Sequence, residues 1–127
     1  MYKQPIRPDR LRRVPPQFSW VDHRLVREGR LRRATPEGLA LYLFLVTVAD
    51  AQGMSWYGDR RCAQHLGMDI PALQAARRSL IEADLIAYEN PLYQVLSLDR
   101  ISTHGLPRGG EAQSLAQILA KMAEVES

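Results

Sequence analysis

The sequence predicts a mainly α-helical fold with one small β-hairpin, flanked by a basic N-terminal arm and a C-terminal helix. Three observations carry this. An apolar run, LALYLFLVTVADAQG, follows a strong helix start at Thr35-Pro36-Glu37. Two further helical segments, DRRCAQHL and the stretch from Asp69 to Ala83, are separated only by the compact Gly67-Met68-Asp69. Two short strand-like runs, Leu85–Tyr88 and Tyr93–Leu98, flank Glu89-Asn90-Pro91-Leu92, where Asn-Pro signals a turn.

Each element has a local cause. Residues 1–17 hold Pro5, Pro8, Pro15 and Pro16, and proline fixes φ and removes a donor, so an extended arm is expected there. A domain is expected over 18–98, opening with a short helix capped by Ser19 or Asp22, turning Trp20 or Val21 inward and fraying near Gly29. Thr35 offers a capping oxygen, Pro36 suits the first helical position and Glu37 the positive end of the dipole. The helix that follows is apolar on nearly every face, which predicts a buried central helix ended by Gly53 as a left-handed cap.

Met54-Ser55-Trp56-Tyr57 reads as a short extended piece. Gly58 or Asp59 opens the next helix, with Ala63 and Leu66 as its core and Gly67 as its end. Asp69 caps the helix after it. There Leu73, Ala76, Leu80 and Ala83 recur on one face, and Gln74, Arg77, Arg78 and Glu82 are expected opposite. Residues 99–110, with three glycines, read as a linker. Residues 111–127 read as an amphipathic helix, with Leu115, Ile118, Leu119, Met122 and Val125 at helical spacing. Trp20, Trp56, Tyr42, Tyr57 and Phe44 are expected in the core of so small a domain.

Composition narrows the function. The chain of 127 residues is 46% hydrophobic, enough for one domain with a core. Its longest apolar run, Leu39 to Ala49, is too short to span a bilayer, and the basic N-terminus lacks the apolar stretch of a secretory signal, which points to a cytoplasmic protein with no membrane partner. The net charge of +3 is unevenly spread. Residues 1–33 carry ten Lys/Arg against three acids, and the remainder carries seven against eleven. Nine of the ten are Arg, whose planar fork suits phosphate and base edges, so the basic end points to a polyanion.

No enzyme and no cofactor is expected. Cys62 is a lone thiol, and His23, His65 and His104 lack metal-ligand spacing. Phosphate-loop, paired-carboxylate and nucleophile-elbow motifs are missing from the sequence. Asp50 and Asp59 fit helix-end and helix-cap roles better than metal ligation.

Two helices joined by a tight turn, followed by a hairpin, are what a winged helix-turn-helix needs to place its second helix in a DNA major groove. The residues expected at duplex DNA are Ile70, Ala72, Gln74, Arg77 and Arg78 on that helix. Arg60 and Arg61 at the start of the preceding helix are expected on phosphates, and Arg12, Arg13, Arg30, Arg32 and Arg33 in the basic region. The wing tip Glu89-Asn90-Pro91-Leu92 holds an acid and no cation, so the wing is expected to be mainly structural.

The segments ALYLFLVTVADAQGMSW, CAQHLGMD and ARRSLIEADLIAY carry a resemblance over about residues 35–98. Together they resemble the winged-helix domains of bacterial replication initiators, of phage and plasmid replication proteins and of related small regulators. Asp84 stands where such domains more often have glycine. The resemblance implies a three-helix core plus a wing, and a regulator or a replication or transposition accessory factor, as in mobile elements. The alternative is a winged helix used as a protein-interaction module in such a complex. The helix expected at 111–127 would serve a homodimer or a protein partner.

Overall fold

A computed structural model describes residues 3–99. Helix α1 (Arg24–Arg27) and a 3-10 turn (Arg30–Arg33) lead into α2 (Pro36–Val48), β1 (Met54–Trp56), α3 (Asp59–Leu66), α4 (Ile70–Glu82), β2 (Ile86–Glu89) and β3 (Leu92–Val95). The strands form one antiparallel sheet in the order β1-β3-β2. Tyr93 of β3 lies opposite Ser55 on one side and Tyr88 on the other. The expected hairpin is therefore present, joined by Asn90-Pro91, and the short extended piece at Met54 adds a third strand.

The core sits where α2, α4 and the sheet meet. Leu41 and Leu45 of α2, Leu73, Ala76 and Leu80 of α4, Cys62 of α3 and Tyr93 of β3 are fully buried. Thr35 caps α2, its Oγ1 accepting from the Gly38 N–H at 3.0 Å. At Gly38 the helices touch. A Cβ there would lie 3.0 Å from Ser79 Oγ and 3.3 Å from the Ala76 carbonyl of α4. Ser79 uses its hydroxyl to accept from the Thr35 N–H at 2.7 Å, which satisfies a backbone donor at this crossing.

Several expectations are corrected. Helix α2 is not buried all round: Leu43 is 63% exposed, because α4, α3 and β3 cover only part of its circumference. It also ends at Val48 rather than at Gly53. There Asp50 Oδ1 accepts from the Gln52 and Met54 N–H groups, and Gly53, at φ +86°, completes a turn that feeds β1. Near the N-terminus Trp20 and Val21 point outward, and Leu25 takes the buried position. Neither Ser19 nor Asp22 is the cap of α1, which is His23 with no side-chain cap, while Asp22, one residue earlier, accepts from the Arg24 N–H at 2.9 Å. Trp20 (76% exposed) and Trp56 (74% exposed) are not core residues, whereas Tyr42 is buried and Phe44 and Tyr57 are half-buried.

Both ends of the turn-forming helices use the same device. Gly67 closes α3 at φ +65°, with its N–H donating to the Gln64 carbonyl and the Met68 N–H to the Ala63 carbonyl. Asp84 closes α4 at φ +62°, with the Asp84 and Leu85 N–H groups donating to the Ile81 and Leu80 carbonyls. Aspartate is among the few non-glycine residues that tolerate this conformation, so the helix still turns sharply into β2.

The described part of the 1–17 arm is exposed throughout, with one 3-10 turn at Pro8–Arg10. The predicted linker beyond Asp99 and the predicted helix at 111–127 lie outside the described residues.

Close packing at Gly38 predicts that Gly38→Ala costs about 1–3 kcal/mol through overpacking against α4. Ser79→Ala, which leaves the Thr35 N–H unsatisfied, costs about 1 kcal/mol. Urea unfolding of each variant measures both.

Candidate nucleic-acid interface

The amphipathic pattern of α4 divides it cleanly. Leu73, Ala76 and Leu80 face the core, and Ile70, Gln74, Arg78 and Ile81 form an exposed stripe along the opposite side. Gln74 and Arg78 are neighbours one turn apart and, with Ile81 and the edge of Arg77, line a shallow surface hollow. Ala72 lies off this stripe. It is half-buried, and its N–H is held by the Asp69 cap at 2.8 Å.

Arg77 is not presented to solvent as its place in the expected polar face suggested. Its side chain is only 12% exposed. Nη1 donates to Asp59 Oδ1 at 2.8 Å and to the Tyr93 hydroxyl at 2.7 Å. The guanidinium lies 4.2 Å from the Tyr88 ring centroid, and Tyr88 in turn packs on Tyr93 with ring centroids 4.5 Å apart. The physical reason is position: Arg77 borders the buried face, one turn from both Leu73 and Leu80, so a short bend of its stem reaches the carboxylate and the two phenols. Its donors are thus committed within the protein.

This clamp ties α4 to the first residue of α3 and to the hairpin. Arg60 and Arg61 follow Asp59 directly and are exposed on that flank. The Arg61 guanidinium lies 5.6 Å from the Tyr57 ring centroid. On the other flank the Thr35–Ser79 hydrogen bond seats the Arg30–Arg33 turn against α4. Arg32 and Arg33 are exposed there, whereas Arg30 is paired with Glu28 at 2.8 Å. Arg12 and Arg13 lie on the exposed arm.

The charge of the N-terminal region is partly spent. Arg7 pairs with Asp9, and Arg24 with both Asp22 and Asp99. Hydrogen bonds from Arg24 hold the Asp22 carboxyl down at about 2. Among the described residues, no ion pair engages Arg12, Arg13, Arg32, Arg33, Arg60, Arg61 or Arg78. With Lys3, Arg10 and Arg27, which are likewise exposed and outside these pairs, they are the cations among the described residues left for an outside anion.

Two buried groups near the clamp resist ionisation. Burial pushes the Tyr93 phenol up to about 12, against the opposing pull of Arg77. Burial, and then the Asp59 charge, pushes the Cys62 thiol up to about 11. The protonated Cys62 thiol packs in the core with no exposure to solvent. Among the described residues no group of His, Cys, Asp and Glu side chains is placed to hold a metal ion, and no helix is long and apolar enough to cross a membrane.

Comparison with known proteins gives no matching family model, no matching curated protein and no matching solved structure.

Arg77→Ala leaves the Tyr93 hydroxyl and the Asp59 carboxylate without their partner, and is expected to cost about 2–3 kcal/mol in chemical denaturation. The raised Cys62 and Tyr93 values set an alkaline limit. Both groups bind their protons more tightly folded than unfolded, so their contribution is intact below about pH 9 and is lost as pH climbs towards 12. Thermal melts from pH 8 to 12 should show Tm falling across this window, with Tyr93→Phe flattening its upper part.

Proposed function

We propose that this chain is a winged helix-turn-helix protein that binds double-stranded DNA, as a regulator or as a replication or transposition accessory factor. The order helix, strand, two helices, then hairpin, with a three-residue turn between α3 and α4, supports the fold assignment. The observation that carries the functional reading is the exposed α4 stripe with unpaired arginines on both flanks. A helix in a major groove has a phosphate backbone on each side, and Arg60 and Arg61 on one flank and Arg32 and Arg33 on the other match that arrangement. Arg12 and Arg13 on the arm add reach along the duplex. Arg77 takes the role of fixing the reading helix in place.

A second reading, a winged helix that binds a protein within a larger complex, draws on Trp56, exposed on an edge strand, and on the hairpin tip without a cation. A homodimer or partner contact through residues 111–127 belongs with the same proposal.

DNA binding by this surface predicts a log K that falls linearly with log salt. Arg33→Ala and Arg60→Ala should each lower that slope by about 1 and weaken binding alike on every sequence. Arg24→Ala, which removes an already neutralised cation, should leave the slope unchanged. Fluorescence anisotropy on a labelled duplex reads both. A chain that retains no duplex at low salt, and whose mass in light scattering rises only with a protein partner, supports the second reading instead.

A further inference from the structure

Resting on the DNA-binding reading of α4, we infer that base choice is made by Gln74 and Arg78 together, and that the preferred site holds an adenine and a guanine within about two base-pair steps of each other. Of the two adjacent arginines on α4, only Arg78 has its fork available. Arg77 spends its donors on Asp59 and Tyr93 and its face on Tyr88. Arg78 is exposed and has no carboxylate partner among the described residues. Gln74, also exposed, sits one turn before it and shares the same hollow.

The chemistry of these two side chains differs in a way that DNA distinguishes. The guanidinium donates twice, which suits the O6 and N7 acceptors of guanine, and the carboxamide donates and accepts, which suits N6 and N7 of adenine. Four residues of helix advance roughly 6 Å, which is under two base-pair rises of about 3.4 Å. The two side chains therefore reach neighbouring positions and not distant ones.

The stripe ends in apolar groups. Ile70 and Ile81, both exposed, lie before and after the polar pair on the same side. In a major groove the apolar group available to meet them is the thymine methyl. Glu82, exposed just beyond, sets the limit of the reading surface, since a carboxylate is repelled by phosphate.

The test is selection from a random duplex pool with the full chain, run in parallel for wild type, Gln74→Ala, Arg78→Ala and Arg77→Ala. The wild type is expected to enrich a core with guanine and adenine at neighbouring positions. Arg78→Ala should lose the guanine preference and about tenfold or more in affinity for the selected site, while keeping its affinity for unselected DNA within a fewfold. Gln74→Ala should lose the adenine preference alone. Arg77→Ala, compared at a temperature where it stays folded, is expected to lose affinity for the selected site because the clamp on α4 is loosened, but any core it still enriches should keep the guanine, since that contact is made by Arg78. Wild-type binding without enrichment, or enrichment that both Gln74→Ala and Arg78→Ala leave intact, overturns this inference and leaves duplex binding standing. Absence of binding to any duplex at low salt overturns the function on which it rests.

Discussion

The partly buried guanidinium of Arg77 is the constraint on which the geometry of α4 depends. A cation removed from water is costly, and here the cost is offset by a carboxylate at 2.8 Å, a phenol at 2.7 Å and an aromatic face at 4.2 Å. Those partners come from three different elements, α3, β3 and β2. No purely apolar side chain at this position makes three directional contacts at once. Lysine, a point charge on a flexible stem, could not both fork and stack. What the arginine supplies beyond packing is orientation: α4 cannot rotate about its axis without breaking the clamp. The stripe of Ile70, Gln74, Arg78 and Ile81 therefore faces one fixed direction.

Electrostatics sort the remaining arginines. Counting charge in residues 1–33 makes that region look uniformly basic, yet Arg7, Arg24 and Arg30 each lie against a nearby acid. Among the described residues, the cations that stay free lie on the arm, on α1 at Arg27, on the turn beside α4, on α4 itself and at the start of α3. A solvated ion pair has little left to offer a phosphate, since the pair carries no net charge and so displaces few of the cations condensed on a duplex. The free set is thus smaller than composition suggests, and its members on the turn, on α4 and on α3 gather around that helix.

Local chemistry made much of this legible from sequence. Thr35, Gly67 and Asp69 are caps whose side chains or backbone freedom act within a few residues, and each sits where its local role requires. The buried face of α4 followed from spacing alone. What depended on distant partners did not follow. Arg77 and Arg78 are chemically identical neighbours, and only the arrival of Asp59 and Tyr93 separates them. A signal was nevertheless present, since helical spacing puts Arg77, unlike Arg78, at the edge of the apolar face. Trp20 and Trp56 were misplaced for the opposite reason. Aromatic bulk favours burial on average, but the core was already filled by leucines and Tyr93, and both side chains were left outside.

The hairpin tip, which holds an acid and no cation, fits this division of labour. A hairpin that gripped phosphate would need cations at Glu89-Asn90-Pro91-Leu92, and the sequence has none there. Its strands instead carry Tyr88 and Tyr93, the two rings that receive Arg77. The Tyr57 N–H donates to the Pro91 carbonyl at 3.2 Å, linking the tip to the segment just before α3. The hairpin thus acts through α4 and not beside it. It holds the helix against α3, and the unpaired arginines lie on either flank of that helix. Moving a cation to the tip would add charge to an element whose rings are already committed to Arg77. Removing either ring would loosen α4 together with the Tyr88–Tyr93 contact inside the hairpin.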